Sequence, residues 1–351
     1  MDFALTDEQA MIADTARQFF AENSTSARTR GAMAADGVDR DLWRAYCQEL
    51  GFGGLSLPEE FGGAALGMVE FATVAEAAGA QVSAIPLLGQ AMAGSAIAAG
   101  GSDAQKGEWL PRIASGELIA VAAECADLKA DDDMLTGRCD FVAHGNVADI
   151  LLVIAPGGAW LVETGAKGVT VEAHLTMDQT RPLATIILDR AAGTPLPDAS
   201  AAASAAQDSG WICLAAEALG GAQACLDRTV AYAKERVQFG RAIGSFQAYK
   251  HRLADMMVEI EQARSAVYWA ACTVDEQSGD SALALHAAKS FAADTYFKCA
   301  GDMIQLHGGI GFTWEHDAHL FFKRARSIQT LLKNGNWHRE QVAAMILGEA
   351  A

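Results

Sequence analysis

No run of about 18 uninterrupted apolar residues occurs in the chain, which argues against a membrane-spanning helix. Positive charge is scarce: 26 Lys and Arg stand against 44 Asp and Glu, a formal net charge of −18. That balance argues against nucleic acid, whose phosphates demand clustered cations, but leaves room for a phosphorylated ligand in a local basic pocket. The seven cysteines (Cys47, Cys125, Cys139, Cys213, Cys225, Cys272 and Cys299) are scattered and never spaced as C-x-x-C. Zinc ligation and a disulfide framework are therefore unsupported, and reduced, mostly buried thiols are expected. The start, Met1-Asp2-Phe3-Ala4-Leu5-Thr6-Asp7-Glu8, lacks the basic residues and apolar run of a secretory signal, which predicts a cytoplasmic protein.

What is present is a large apolar fraction, 51% of 351 residues, enough for two or three folding units. Thr6 followed by Gln9 forms a capping box, and Ile12, Ala13, Ala16, Phe19 and Phe20 then repeat on one helical face. Further helical runs cover 42–50, 68–78 within an Ala-rich stretch reaching Gly101, and 104–113, with a turn-rich connector over 53–63. Residues 1–118 thus read as a helical domain. Between 119 and 197 the texture changes: Ile150-Leu151-Leu152-Val153-Ile154, Trp160-Leu161-Val162 and Ala184-Thr185-Ile186-Ile187-Leu188 are short apolar runs broken by Gly, Asp and Pro. These are strands, and they predict a small β-domain. Residues 199–206 read as an Ala/Ser linker, and helical runs at 208–238, 245–277, 281–305 and 316–331, with a last piece at 336–348, predict a four-helix bundle over 207–351. The fold class is mainly α with a small β-domain.

Two segments carry chemistry. In Arg236-Val237-Gln238-Phe239-Gly240 a predicted helix ends on an arginine, followed by a tight turn and a new helix near Ser245. Arginine beside free backbone N–H groups suits a pyrophosphate, which needs bidentate donors and a positive field. The alternative is a basic last turn complementing the helix dipole, with Gly240 as C-cap. In Gln305-Leu306-His307-Gly308-Gly309-Ile310-Gly311-Phe312, glycines at three of four positions permit close backbone approach to a ligand. A helix-ending loop with no partner is the alternative there.

These two segments, together with Phe246-Gln247 and Leu253-Ala254-Asp255-Met256, closely resemble the C-terminal domain of acyl-CoA dehydrogenases. Leu50-Gly51-Phe52, Pro58-Glu59-Glu60-Phe61-Gly62-Gly63 and Glu76-Ala77-Ala78-Gly79 resemble the N-terminal domain, and Trp109-Leu110-Pro111 with Ser115-Gly116-Glu117 the lead-in to the middle one. The resemblance implies FAD-dependent α,β-dehydrogenation of an acyl-CoA thioester: a carboxylate takes the α-proton and flavin N5 takes hydride from the β-carbon. It further implies an oligomer in which one subunit holds the flavin ring and its neighbour the ADP half. Carried over by position, the ADP contacts are Arg236, Gln238, Phe239, Gln305, Gly308 and Gly309. Electron-transfer flavoprotein is the electron acceptor the family implies.

The sequence departs from that pattern at three places. The middle-domain loop that reads Thr-Glu-Pro and then Gly-Ser-Asp in the family is Ala123-Glu124-Cys125-Ala126-Asp127-Leu128-Lys129 here. Phe141-Val142-Ala143-His144-Gly145 stands where a flavin-contacting Trp is typical. No carboxylate occupies either position that supplies the base: Leu332, within Gln329-Thr330-Leu331-Leu332-Lys333-Asn334, aligns with one and Gly210 with the other. Glu217, seven residues on from Gly210, is about 10.5 Å further along the helix and reads as an interior or interface carboxylate, and His307 as a packing or interface residue. No catalytic residue is assigned. Loss of the ring and base positions with retention of the ADP side resembles the short subunit of bacterial hetero-oligomeric acyl-CoA dehydrogenases, whose partner is a homologous chain. A complete homomeric enzyme with an atypical base and a non-catalytic scaffold of the same fold are the alternatives.

Overall fold

A computed structural model of the chain describes residues 5–348. Helices come first: α1 (Asp7–Asn23), α2 (Ser26–Met33), α3 (Arg40–Arg44), α4 (Met68–Ala80), α5 (Leu87–Gly100) and α6 (Asp103–Ala114). The predicted capping box starts α1: the Gln9 N–H donates to the Thr6 hydroxyl (3.2 Å) and the Thr6 N–H to the Gln9 side-chain oxygen (3.0 Å). Ser102 and Gln105 repeat the device at α6. After α3 a π-helical turn (Ala45–Glu49) leads to Gly51 at φ +68°, a left-handed position that glycine adopts without steric cost.

Eight strands follow: β1 (Ala120–Glu124), β2 (Lys129–Asp131), β3 (Met134–Ala143), β4 (Ile150–Ala155), β5 (Gly158–Glu163), β6 (Val169–Ala173), β7 (Leu183–Ala192) and β8 (Thr194–Pro195). They form two four-stranded sheets of order β1-β4-β5-β8 and β2-β3-β7-β6, antiparallel except for the β1/β4 pair. The β3/β7 ladder slips between Cys139 and Val142, and the bulge carries Phe141 at φ +58° and turns its ring outward.

The chain then returns to helix: α7 (Ala199–Glu235), a hairpin of β9 (Val237–Gln238) and β10 (Arg241–Ala242), α8 (Gln247–Asp275), α9 (Ser281–His307), α10 (Ala318–Thr330) and α11 (Gly335–Leu347). Two expectations are corrected here. The stretch 199–206 is not a linker but the first turns of α7. Alanine has the highest helix propensity, and the Asp198 carboxylate accepts the Ala201 N–H (2.9 Å) as an N-terminal cap. The same helix stops at Glu235 rather than 238, because residues 237–242 pair with each other instead. Phe239 (φ +54°) and Gly240 (φ +76°) make the two-residue turn of that hairpin, so Gly240 is no helix C-cap.

The elements group into two compact units. One comprises Met1–Ser26, Met68–Ser83 and Trp211–Ala351, so α1 and α4 belong with the C-terminal helices. Gly79 and Gly220 let α4 and α7 cross in backbone contact: a Cβ on Gly220 would lie 1.8 Å from the Glu76 carbonyl oxygen, and one on Gly79 2.1 Å from that of Glu217. Leu219, Met256, Ile260, Tyr296, Met303 and Phe321 fill the interior around this crossing, each worth roughly 1.5–3 kcal/mol of burial. The second unit comprises Ala27–Gly67 and Ala84–Gly210 and contains both large sheets. Its core is the buried run Ile150–Val153 with Leu161, Val162, Ile186 and Leu188, and Gly89 brings α5 onto Val121 of β1.

Candidate cofactor-binding site

The six residues carried over to the cofactor all fall in the first unit, at one end of its helices. Arg236 follows the last residue of α7, its N–H still bonded to the Tyr232 carbonyl, and its own carbonyl accepts the Ile243 N–H (2.8 Å). Its guanidinium is exposed and has no hydrogen-bond or ion-pair partner among the described residues. Gln238 sits on β9 with its amide turned to the Val237 carbonyl (2.7 Å), and Phe239 at the hairpin tip is 92% exposed. Next to them the Arg241 guanidinium lies 4.0 Å over the Phe246 ring, a cation–π contact that no local sequence pattern marks.

Gln305, Gly308 and Gly309 are exposed at the end of α9 and in the short 3-10 turn that follows it (Gly308–Phe312). Gly308 has φ +63°, which favours glycine; Gly309 has open space where a Cβ would stand, so nothing in this chain demands its bare backbone. Gly311 differs, being held against the Ile304 carbonyl.

A ring stack from the helix that ends beside Arg236, and a hydrogen bond from α8, hold this segment. Tyr232 stacks on His307 (centroids 4.5 Å, planes 20° apart), and the Tyr249 hydroxyl donates to the Leu306 carbonyl (2.5 Å). His307 is buried and donates Nδ1–H to the Met303 carbonyl (2.8 Å); burial first, and His316 nearby, hold its pKa below the ordinary range. It is a packing residue. Around the site Phe312 and Trp314 are 86% and 68% exposed, large apolar surfaces that a lone chain would leave in water.

The places where a base was sought look different. The Leu332 carbonyl accepts from Trp211 Nε1 (3.3 Å) and His338 Nε2 (3.1 Å), and Leu332 and Lys333 both have left-handed backbones (φ +50° and +75°). Lys289 donates to the Ile328 carbonyl (2.9 Å), a cation on the C-terminal turn of α10. Because His338 gives its Nε2 proton to Leu332, its Nδ1 accepts from His286 Nδ1 at 2.8 Å. Burial, then the positive Lys289, push the His338 pKa down to about 4. Glu217 is buried 3.6 Å from the Arg324 guanidinium, an interior ion pair as expected.

Residues 6–117 match the acyl-CoA dehydrogenase N-terminal domain and residues 201–347 the acyl-CoA dehydrogenase C-terminal domain. The chain belongs to the acyl-CoA dehydrogenase family. It is 39% identical over 331 residues to the acyl-CoA dehydrogenase IpdE2 of Mycobacterium tuberculosis, covering 93% of this chain and 94% of that protein. Among solved structures it is similar to the ChsE4-ChsE5 complex from Mycobacterium tuberculosis, with TM-score 0.92 and 26% identity over the whole of both chains. A variant of the Tcur3481-Tcur3483 steroid ACAD gives TM-score 0.90 and 30% identity, covering 97% of this chain and 98% of that one.

FAD, the cofactor of the acyl-CoA dehydrogenase family, makes two kinds of demand on a protein. Its pyrophosphate needs donors and close backbone approach, and the exposed Arg236, Gln238 and Gln305 with the open Gly309 fit that demand. For its ring, the resemblance implies hydroxyl and backbone donors from the loop at residues 123–129 of the middle β-module. There, residues 124–129 contain neither hydroxyl nor glycine, and Cys125 is buried with its thiol turned to the Arg138 carbonyl (3.3 Å). The ring half does not fit this chain's own residues. No helix among the described residues is long and apolar enough to cross a membrane.

Proposed function

We propose that this chain is the short subunit of a hetero-oligomeric acyl-CoA dehydrogenase and binds the ADP half of an FAD whose ring lies in a homologous partner. The observation that carries the reading is Arg236, an exposed guanidinium with no ion-pair partner among the described residues, tied through Tyr232 and His307 to the segment that exposes Gln305, Gly308 and Gly309. In an acidic chain such a cation is a donor looking outward. Arg236 neutralises a pyrophosphate charge with paired N–H donors, Gln238 and Gln305 add neutral donors, Gly308 and Gly309 admit the phosphates to the backbone, and Phe239 packs beside the nucleotide. FAD, when bound, supplies the hydride acceptor for α,β-dehydrogenation of an acyl-CoA. The base is the partner's, since neither Gly210 nor residues 329–334 offer a carboxylate here and Glu217 is committed to Arg324. Electron-transfer flavoprotein takes the electrons on. Within this reading residues 1–118, 119–197 and 207–351 are the N-terminal, middle and C-terminal domains, and the site of action is cytoplasmic.

The names of relatives support the pairing: ChsE4-ChsE5 is a complex of two chains and Tcur3481-Tcur3483 is called a steroid ACAD. A bulky, steroid-derived acyl group is accordingly the substrate class we propose. Purifying the chain alone and with a co-expressed homologue tests the reading. The chain alone is expected to be colourless, and the complex yellow and able to reduce a dye with acyl-CoA. A yellow, active product from the chain alone favours a homomer instead.

A further inference from the structure

We infer that Tyr249 is a positioning residue for the cofactor site, holding the Gln305–Gly309 segment in register with Arg236. The inference rests on the reading above. Helix α9 ends at His307, so the Leu306 carbonyl is among the last four, which have no partner within their own helix. The Tyr249 hydroxyl, from the first turn of α8, meets it at 2.5 Å. A phenol serves here only while it keeps its proton, and burial, reinforced by neighbouring Tyr232, pushes its pKa up to about 12.

The surrounding geometry explains why one hydrogen bond matters. Gln305, Gly308 and Gly309 lie around the exposed end of α9, and the 3-10 turn beyond it leaves Gly308 and Gly309 with open space on their outer side. Two contacts fasten this end to the helices that flank the hairpin: the Tyr232–His307 stack, reaching from the last turns of α7, and the Tyr249–Leu306 bond, reaching from the first turn of α8. The hairpin itself is pinned on the Arg236 side by the Ile243 N–H. A ring stack constrains separation more than direction, whereas a hydrogen bond constrains both. Donors that are already aimed at a ligand bind it more tightly than donors that must be ordered on binding.

Substituting Tyr249→Phe in the co-purified complex deletes the bond and keeps the ring. Titration of FAD into the deflavinated complex, followed by flavin fluorescence, is expected to show affinity weakened about five- to tenfold, the range of one lost hydrogen bond. The midpoint of thermal unfolding of the flavin-free complex falls whenever this bond is lost, so the discriminating reading is the FAD affinity and its dependence on Gln305. In a Gln305→Ala background the same substitution is expected to cost less than about twofold, because the donor it positions is gone. An unchanged FAD affinity in Tyr249→Phe, or a full effect persisting beside Gln305→Ala, overturns the inference while leaving the cofactor reading intact. A wild-type complex that retains no FAD overturns both.

Discussion

Arg236 and Glu217 are both charged residues of the helical unit, and their surroundings send them to opposite tasks. Arg236 stands in water with no ion-pair partner among the described residues, so its charge is available to something outside the chain. Replacing it with alanine is expected to weaken FAD retention by the assembled complex by roughly 1.5–3 kcal/mol, the worth of a charge-assisted hydrogen bond. Equilibrium dialysis of the complex measures this, and undiminished retention would show that the arginine faces elsewhere. Glu217 is 2% exposed and its charge is spent on Arg324. Glu217→Gln leaves Arg324 buried beside a neutral amide, so a stability loss of about 3 kcal/mol is expected in urea unfolding. The chemical step should change little, because a base must reach its proton within about 3 Å and this carboxylate is held by a guanidinium. Stopped-flow bleaching of the flavin decides it: a thousandfold slower rate with FAD still bound would return Glu217 to catalysis. The interior character of Glu217 was legible from its helical position, whereas its partner, more than a hundred residues away, was not.

At the scale of elements, the loop 331–334, which has no carboxylate, is held in an unusual backbone conformation. Two non-glycine residues with left-handed backbones carry a cost of about 1–3 kcal/mol each unless their surroundings hold them there. Trp211, His338 and Lys289 do so through three carbonyls, and the arrangement requires His338 to stay neutral. Its folded pKa of about 4 lies below the ordinary histidine value near 6.5, so between those values the unfolded chain binds the extra proton. This contribution to stability is therefore complete above about pH 6.5 and is lost as pH falls towards 4, by roughly 2–3 kcal/mol. Urea unfolding from pH 7 to 4.5 reads the slope; His338→Gln should flatten it, and an identical slope in that variant would remove the histidine from the account. None of this was visible in the sequence, because His286 and His338 are 52 residues apart and meet only through the packing of α9 against α11. Element boundaries were misread for a related reason. Alanine and serine over 199–206 have the composition of a flexible linker, and their helix is settled by the cap at Asp198 and the helix it continues into. The end of α7 was displaced because a two-strand hairpin competes with helix for the same backbone groups.

For the whole molecule, the exposed Val237, Phe239, Ile310, Phe312 and Trp314 surround the cofactor residues, and burying them is the natural driving force for a partner. Light scattering is expected to show the co-expressed chain in a species well above its own 36.9 kDa, consistent with two-fold association. A monomer alone and beside every homologous candidate would remove the basis for a shared flavin.

The order of helices, strands and helices could be read from the chain because hydrophobic period and cap residues act over a few neighbours: Thr6 with Gln9 set the start of α1, and the run at 150–154 had the length and residues of a strand. The family was legible as well, since its motifs are short and contiguous in sequence. Which helices share a core was decided by tertiary structure, where glycines 79 and 220 let α4 and α7 touch and draw α1 and α4 into the C-terminal unit. So was the joining of Arg236 to the Gly308–Gly309 turn. That juncture depends on Tyr232 and Tyr249 meeting residues some 57 to 75 positions away, and no local pattern encodes the partner of a side chain across such a distance.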